Sequence, residues 1–287
     1  MKRFFKNKSK CSICKNKNLL KIINLKKFPI TGIYIKKKIK KENTYYIDQN
    51  LKLCKGCGHL QLGKFVSPEL LYNNLYSNRT SENHLSANGI NFFKSFLYEV
   101  TKKKKFGNLL EVGCSDIKLI ESLKNNFNHL YGIDPIWISK VKPKDKKFTI
   151  IGDFVEKIDF KKKIINKIDI FISAHNLEHI ENPLDMLKTI LKTADNKTIF
   201  FIEVPDADIM IKNLRFDQIF HQHYHYFNLN SLNNLIISLG CKIIKKKINP
   251  NFWGGSILIA FKKNNSIKKR KLTNNYSLIE LESIKFS

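Results

Sequence analysis

The stretch Leu109-Leu110-Glu111-Val112-Gly113-Cys114-Ser115-Asp116, read with Tyr131-Gly132-Ile133-Asp134-Pro135, decides the fold. An apolar run ends at Glu111, a glycine turn follows, an apolar-periodic segment runs from Ile117 to Phe127, and a second apolar run ends at Asp134. Strand, helix and strand in this order predict a β-α-β unit. An open α/β sheet takes its ligand at the carboxyl ends of its strands, where backbone amides at helix starts face the crevice. Gly113 allows a ligand to approach the backbone closely. Asp134, about 20 residues beyond the turn, is placed to accept both hydroxyls of a ribose. The reading is an adenosine-bearing cofactor. Gly113-Cys114-Ser115-Asp116 lacks the second and third glycines that a pyrophosphate requires. Glu111 and Asp116 would repel a phosphate but suit a cationic sulfonium and amino group. Both points favour S-adenosylmethionine over a dinucleotide.

Outward from this unit the alternation continues. Strands are expected near residues 148–151, 168–173, 198–204, 241–247 and 256–261, and helices near 117–127, 183–193 and 231–239. Repeated β-α units predict a doubly wound α/β sheet. The last two strands follow one another through Asn249-Pro250-Asn251-Phe252-Trp253-Gly254-Gly255 with no helix between them, which predicts an antiparallel hairpin at one edge. Asp153, at the end of the third strand, is read either as an acceptor for an adenine amino group or as a helix N-cap. Upstream, Pro68 starts a short helical pattern through Tyr72, residues 75–81 read as a polar loop, and a longer helix is expected over residues 83–101. In that loop Tyr76, Ser77 and Arg79 are candidates to face a sugar or a phosphate. The expected division is a zinc-binding module at 1–66, a helical connector at 67–105, the cofactor-binding domain at 106–264 and a tail at 265–287.

Four of the six cysteines form two C-x2-C knuckles, Cys11-Ser12-Ile13-Cys14 and Cys54-Lys55-Gly56-Cys57, separated by 39 residues. That spacing matches a tetrahedral four-cysteine zinc site rather than two disulfides. His59 is an alternative to one thiolate. The runs Tyr45-Tyr46-Ile47, Leu51-Lys52-Leu53 and Leu60-Gln61-Leu62 read as short strands around the knuckles. So small a segment needs the metal for its folding energy, on the order of 10 kcal/mol. Four protein ligands close the site, so the zinc is structural. Cys114 and Cys241 read as buried small apolar side chains.

With 287 residues and 43% apolar content the chain can bury one large core and a small module. It contains no apolar run of about 18 residues that could span a membrane, and its basic start lacks an apolar stretch of signal-peptide length. A cytoplasmic protein is expected. The net charge of +28 would ordinarily point to a polyanionic partner. Here lysines are scattered through every segment and far outnumber arginines, which reads as a compositional bias, and nucleic acid is not expected as a partner.

Two histidine-rich segments follow the fourth and fifth strands: Ser173-Ala174-His175-Asn176-Leu177-Glu178-His179-Ile180 and Ile219-Phe220-His221-Gln222-His223-Tyr224-His225-Tyr226-Phe227. Both fall over the crevice that holds Asp134, and histidine exchanges protons near neutral pH. His221, His223 and His225 alternate and could share a metal in an extended segment, but no carboxylate lies within that run.

Together these motifs resemble the S-adenosylmethionine-dependent C-methyltransferases of nucleotide-linked 4-keto-deoxysugars. The resemblance rests on the two knuckles, Glu111 to Asp116, Gly132 to Pro135, Asn176 to Ile180, Glu203-Val204-Pro205-Asp206, His221-Gln222-His223 and Gly254-Gly255-Ser256. It implies a class I methyltransferase (Rossmann-like) fold with an antiparallel last strand. It also implies a base that removes the proton beside the 4-keto group before the enolate attacks the methyl. That base would be His223, with His179, Tyr76 and Gln222 around it. Glu111, Gly113, Asp116, Asp134, Asp153 and Asn176 would hold the cofactor, and Cys11, Cys14, Cys54 and Cys57 the zinc.

Three positions depart from the family pattern. Gln222 stands where the family has Glu, Ser115 and Ile117 stand where it has Asn and Gly, and the sequence ends at Ser287 where familiar members continue into another α/β domain. O- or N-methylation of a sugar from a surface polysaccharide pathway, a catalytically degenerate zinc-containing binding protein, and an RNA methyltransferase are the alternative readings.

Overall fold

A computed structural model describes residues 5–30, 46–72, 84–103, 105–251 and 254–264. In chain order the zinc-knuckle region contributes β1 (Phe5–Asn7), β2 (Leu19–Leu25), β3 (Gln49–Cys54), β4 (Leu60–Leu62) and β5 (Lys64–Val66). Helices α1 (Pro68–Leu71) and α2 (His84–Thr101) follow. The large sheet is then laid down by β6 (Phe106–Val112), α3 (Lys118–Ser122), β7 (Phe127–Ile133), β8 (Phe148–Ile151), α4 (Phe160–Lys163), β9 (Ile170–Ala174), α5 (Pro183–Thr193) and β10 (Ile199–Pro205). The chain closes with α6 (Ala207–Lys212), β11 (His225–Tyr226), α7 (Leu229–Ser238), β12 (Cys241–Asn249) and β13 (Ser256–Lys263).

Seven strands form one sheet in the order β12-β13-β10-β9-β6-β7-β8. Strands β6 to β10 pair in parallel, while β13 runs antiparallel to both β10 and β12. The expected doubly wound sheet and its terminal hairpin are both present. The strand order reverses between β6 and β9, which opens a crevice at their carboxyl ends. Successive residues of each central strand point to opposite faces. Leu110, Phe171, Phe200 and Ile202 join one buried layer beneath α5 and α7. Leu109, Ile170, Ile172 and Phe201 join the other, against Phe93, Phe96 and Leu97 of α2.

Local signals explain the helices. Pro183 opens α5 and Leu184, Leu187, Ile190 and Leu191 are buried along one face. A reciprocal capping box between Asn228 and Ser231 starts α7. The helix expected over residues 117–127 is shorter. After α3 the chain makes a 3-10 turn at Lys124–Asn126, and Phe127 already belongs to β7. Asn125 and Asn126 are weak helix formers, and Phe127 gains a ring stack on Phe106 of the neighbouring strand at 5.0 Å.

The knuckle region forms a four-stranded sheet in the order β11-β4-β3-β2, beside the antiparallel pair β1-β5. Strand β2 was not among the expected runs. Tyr46 makes an isolated bridge to Pro29, and Tyr45 lies outside the described residues. Strand β11 comes from the segment after β10, so the small sheet is completed by a part of the chain distant in sequence. Among the described residues no helix is long and apolar enough to cross a membrane.

Candidate active site and zinc cage

The two knuckles converge. Cys11 Sγ lies 3.7 Å from Cys57 Sγ and Cys14 Sγ lies 3.5 Å from Cys54 Sγ, and all four sulfurs are within 4.8 Å of one another. Sulfurs about 2.3 Å from a tetrahedral zinc are separated by about 3.8 Å, so the thiols fit that ion. Each knuckle closes on a left-handed residue, Lys15 (φ +62°) and Gly58 (φ +69°), whose amides bond Cys11 O and Cys54 O. His59 is not part of the cage, because its imidazole faces His225.

At the carboxyl ends of the parallel strands lies a cleft of about 530 Å³, within the range that holds a cofactor and a small substrate. Glu111, Gly113, Asp134, Asp153 and Asn176 line it, as do Gln222, His179 and His223. Asp116 does not line it but lies near enough to act on the charge of Glu111. Gly113 adopts φ +82°, and a Cβ there would meet Asn176 atoms at 2.3–2.5 Å. Asp134 Oδ2 accepts from Ser115 N at 2.8 Å and Oδ1 from Ile136 N at 2.9 Å, so the carboxylate ties the glycine turn to the end of β7. Asp153 Oδ1 accepts from the following amide, Phe154 N, at 2.8 Å.

Glu111 is 2% exposed and its Oε2 has no hydrogen-bond partner among the described residues. Burial, then the negative charges of Asp134 and Asp116, push its pKa well above the usual carboxylate range. A buried carboxyl with an open acceptor beside a second acid suits a cationic group in the cleft and opposes a phosphate. The donor and acceptor set therefore fits a sulfonium amino-acid cofactor.

In the same cleft the histidine segments meet. His179 Nδ1 donates to Gln222 O at 2.9 Å and lies 2.9 Å from the Tyr72 hydroxyl. The His179 ring packs edge-on against His223 with centroids 4.7 Å apart, and Phe220 covers His223 at 4.0 Å. Burial, then His179 and His175, hold His223 well below its ordinary pKa, and burial lowers His179 to about 4. Both shifts favour the neutral imidazole. Beneath them runs a chain of buried acids. Ser256 Oγ donates to Glu203 Oε1 at 2.6 Å, His175 Nε2 lies 3.4 Å from the same oxygen, and Glu178 Oε1 lies 3.8 Å from both His175 and His179. Burial lowers the pKa of His175, but the carboxylates of Glu203 and Glu178 outweigh it and the net shift is upward. Burial raises Glu178 to about 7, against the pull of His175.

A family model described as a methyltransferase domain matches residues 88–246, more than half of the chain. The chain belongs to this methyltransferase family. A zinc binding domain model matches residues 11–72 and contains all four cage cysteines. The C-methyltransferase NovU of Streptomyces niveus is 35% identical over 81 residues, a match that spans 28% of this chain and 19% of that protein. Among solved structures, the plantazolicin methyltransferase BamL, in complex with a triazolic desmethylPZN analog and SAH, aligns at 15% identity with a TM-score of 0.50. That alignment covers 65% of this chain and 88% of the other. The N-methyltransferase NodS from Bradyrhizobium japonicum aligns at 12% identity and a TM-score of 0.48, covering 68% and 94%. The sheet is that of the class I methyltransferases.

Within the methyltransferase cleft the structure gathers Glu111, Gly113, Asp134, Asp153 and Asn176 together with His179, Gln222 and His223. Tyr76 lies outside the described residues. The tyrosine that reaches His179 is Tyr72, four residues earlier, at the end of α1. The alternating histidines do not converge on a metal. His221 is buried and stacks on Phe28 at 5.1 Å, His225 turns toward His59, and His223 alone of the three lines the cleft. Glu178, His179 and His223 do place ligand atoms within 4.8 Å of one another. The sequence assigns no individual role to Tyr72, His175, Glu178 or Glu203, although the last three stand in the segments at the carboxyl ends of β9 and β10 that it singles out.

Proposed function

We propose that this methyltransferase uses S-adenosylmethionine to methylate the carbon beside the keto group of a nucleotide-linked 4-keto-deoxysugar. When bound, that cofactor supplies an electrophilic methyl on a positively charged sulfur. Asp134 would accept the ribose hydroxyls, Asp153 would meet the adenine, and Glu111 with Gly113 and Asn176 would receive the amino-acid end. Asp116 adds negative charge behind Glu111. His223, neutral and facing the cleft, removes the proton beside the keto group. A tyrosine hydroxyl, Tyr72 or Tyr76, would donate to the enolate oxygen, while His179, its Nδ1 proton held by Gln222 O, orients that wall, and the enolate carbon would take the methyl with the sulfur as leaving group. The backbone carbonyl of Gln222, not its side chain, holds His179, so an amide at position 222 leaves that contact intact. In this reading residues 1–66, 67–105 and 106–264 act as zinc module, connector and catalytic domain, and a nucleotide sugar is the partner.

The observation that carries the proposal is His223 packed on His179 in the cleft that Glu111 and Asp134 also line. Incubating the protein in heavy water with a panel of nucleotide-linked 4-keto-deoxysugars, without cofactor, tests it. Deuterium should enter beside the keto group at a rate that His223→Ala lowers by about 100-fold. Methyl transfer without such exchange would favour O- or N-methylation.

A further inference from the structure

The segment that carries His223 is not held by the large sheet. Strand β11 is the outermost strand of the zinc-module sheet, with His225 opposite Gln61 and Tyr226 opposite Leu60. Leu62 N donates to Tyr224 O at 2.9 Å, the Tyr224 hydroxyl donates to Val66 O, and the Tyr224 ring stacks on Phe65 at 4.5 Å. These contacts fix residues 224–226 to β4 and β5, immediately after the second zinc knuckle.

One side-chain contact extends this order to the active-site loops. His225 Nε2 lies 3.0 Å from Ile180 O, and His225 Nδ1 lies 3.0 Å from His59 Nε2. A carbonyl can only accept, so the proton on His225 sits on Nε2, and its Nδ1 offers a lone pair. The proton in the 3.0 Å contact therefore belongs to His59 Nε2. Both rings are buried, at 0% and 1% exposure. His59 follows Cys57 by two residues, and Ile180 follows His179 by one. His223 thus lies between two cross-links, His225 to Ile180 on one side and His179 to Gln222 on the other, and the first is made by the ring that His59 holds.

We propose that His59 is a positioning residue through which the zinc module sets His223 in the cleft. His59 donates one hydrogen bond that fixes the tautomer and orientation of His225. His225 in turn fixes the loop carrying His179, and His179 packs against His223. This rests on the assignment of His223 as the base. Removing the His59 donor leaves a buried acceptor on His225 unmatched, and the disturbance passes to residues 219–226 rather than to β6, β7 and β8, which line the cofactor side.

The test uses the zinc-loaded full chain with His59→Phe, which keeps a ring without a donor, and His59→Gln, whose amide nitrogen can replace Nε2. Three quantities are read: amide hydrogen exchange over residues 219–226, S-adenosylmethionine affinity by calorimetry, and deuterium uptake into the keto sugar. For His59→Phe, amide exchange should quicken and deuterium uptake should fall, each by about tenfold, with cofactor affinity within about twofold of wild type. His59→Gln should recover most of the loss. Wild-type behaviour of His59→Phe, or equal impairment of both variants, would overturn the proposal. If His59→Phe does not fold, the nitrogen-15 shifts of the wild-type imidazoles decide. A proton on His59 Nε2 supports the proposal and one on Nδ1 overturns it. Should wild type exchange no keto-sugar proton at all, the proposed reaction fails, while amide exchange and the imidazole tautomers still judge the positioning role.

Discussion

At Gly113 the left-handed backbone and the Asn176 side chain leave no room for a Cβ. Gly113→Ala should therefore cost about 2 kcal/mol of stability, from backbone strain and displacement of Asn176, and should weaken cofactor binding, both measurable by urea unfolding and calorimetry. Ser115 (φ +44°) and Ile117 (φ +62°) are also left-handed, and these are the two positions where the resembling family carries Asn and Gly. Ile117 is 9% exposed, so burial of its side chain offsets the strain that a β-branched residue meets there. Glu178 gives a prediction with a definite sign. Its folded pKa of about 7 exceeds the ordinary carboxylate value of 4.5, so between those values the folded chain holds a proton that the unfolded chain has released, and stability falls as pH rises. His179, lowered from 6.5 to about 4, acts oppositely: the unfolded chain binds the extra proton, and stability rises with pH through that window. The wild-type profile is the sum of such opposing slopes. Glu178→Gln removes the falling one, so its stability advantage over wild type should grow from pH 5 to pH 8, by up to about 3 kcal/mol, in urea titrations at each pH.

Strand β12 closes one edge of the large sheet, and its sequence shows how that edge is kept from pairing with other chains. Lys242, Lys245, Lys246 and Lys247 stud it, and Lys245 and Lys247 both pair with Glu99 of α2. Replacing Lys245, Lys246 and Lys247 by threonine should leave the fold intact and produce concentration-dependent association, read by light scattering. The pattern that identified this strand identified most of the sheet. Strand β8 has the expected ends, as does α5, where Pro183 and a clear apolar face define both boundaries. What the pattern could not show was made by distance. Strand β11 is two residues long, too short for any periodicity, and its partner Gln61 is remote in sequence. Without that pairing, His225 reads as one more alternating histidine and not as the link between His59 and Ile180. The same limit hid Tyr72. The polar loop drew attention to Tyr76, while the contact of Tyr72 with His179 exists only because α1 is folded against the later loop. The part of the cleft lined by Glu111, Gly113 and Asp134 was legible because a glycine turn, a strand end and an acid lie within one local β-α-β unit.

Across the whole molecule, the zinc module and the catalytic domain share a core. Cys11, Ile13, Cys54 and Cys57 belong to the same buried cluster as Ile180, Phe227 and Leu232, and Lys6 and Lys8 pair with Glu181, the residue after Ile180. Zinc contributes on the order of 10 kcal/mol to a site of this kind, more than the few contacts of β11 could replace. Loss of the ion should therefore be felt unevenly. The walls at the ends of β6, β7 and β8 are held by parallel pairing and by the layer that contains Phe93, Phe96 and Leu97, which the module does not enter, although Val112 and Ile133 also reach the layer that it shares. The wall that bears His223 is built on the module's own sheet. Stripping the metal with a chelator should lower the unfolding temperature and reduce methyl transfer by at least about 100-fold, while S-adenosylmethionine affinity falls by less than about tenfold. Metal analysis should find one zinc per chain before treatment, and adding zinc back should restore transfer. Parallel loss of cofactor binding and transfer would mean that the two walls fold as one unit, and the module would then be a general prop for the domain instead of the support of one half of its active site.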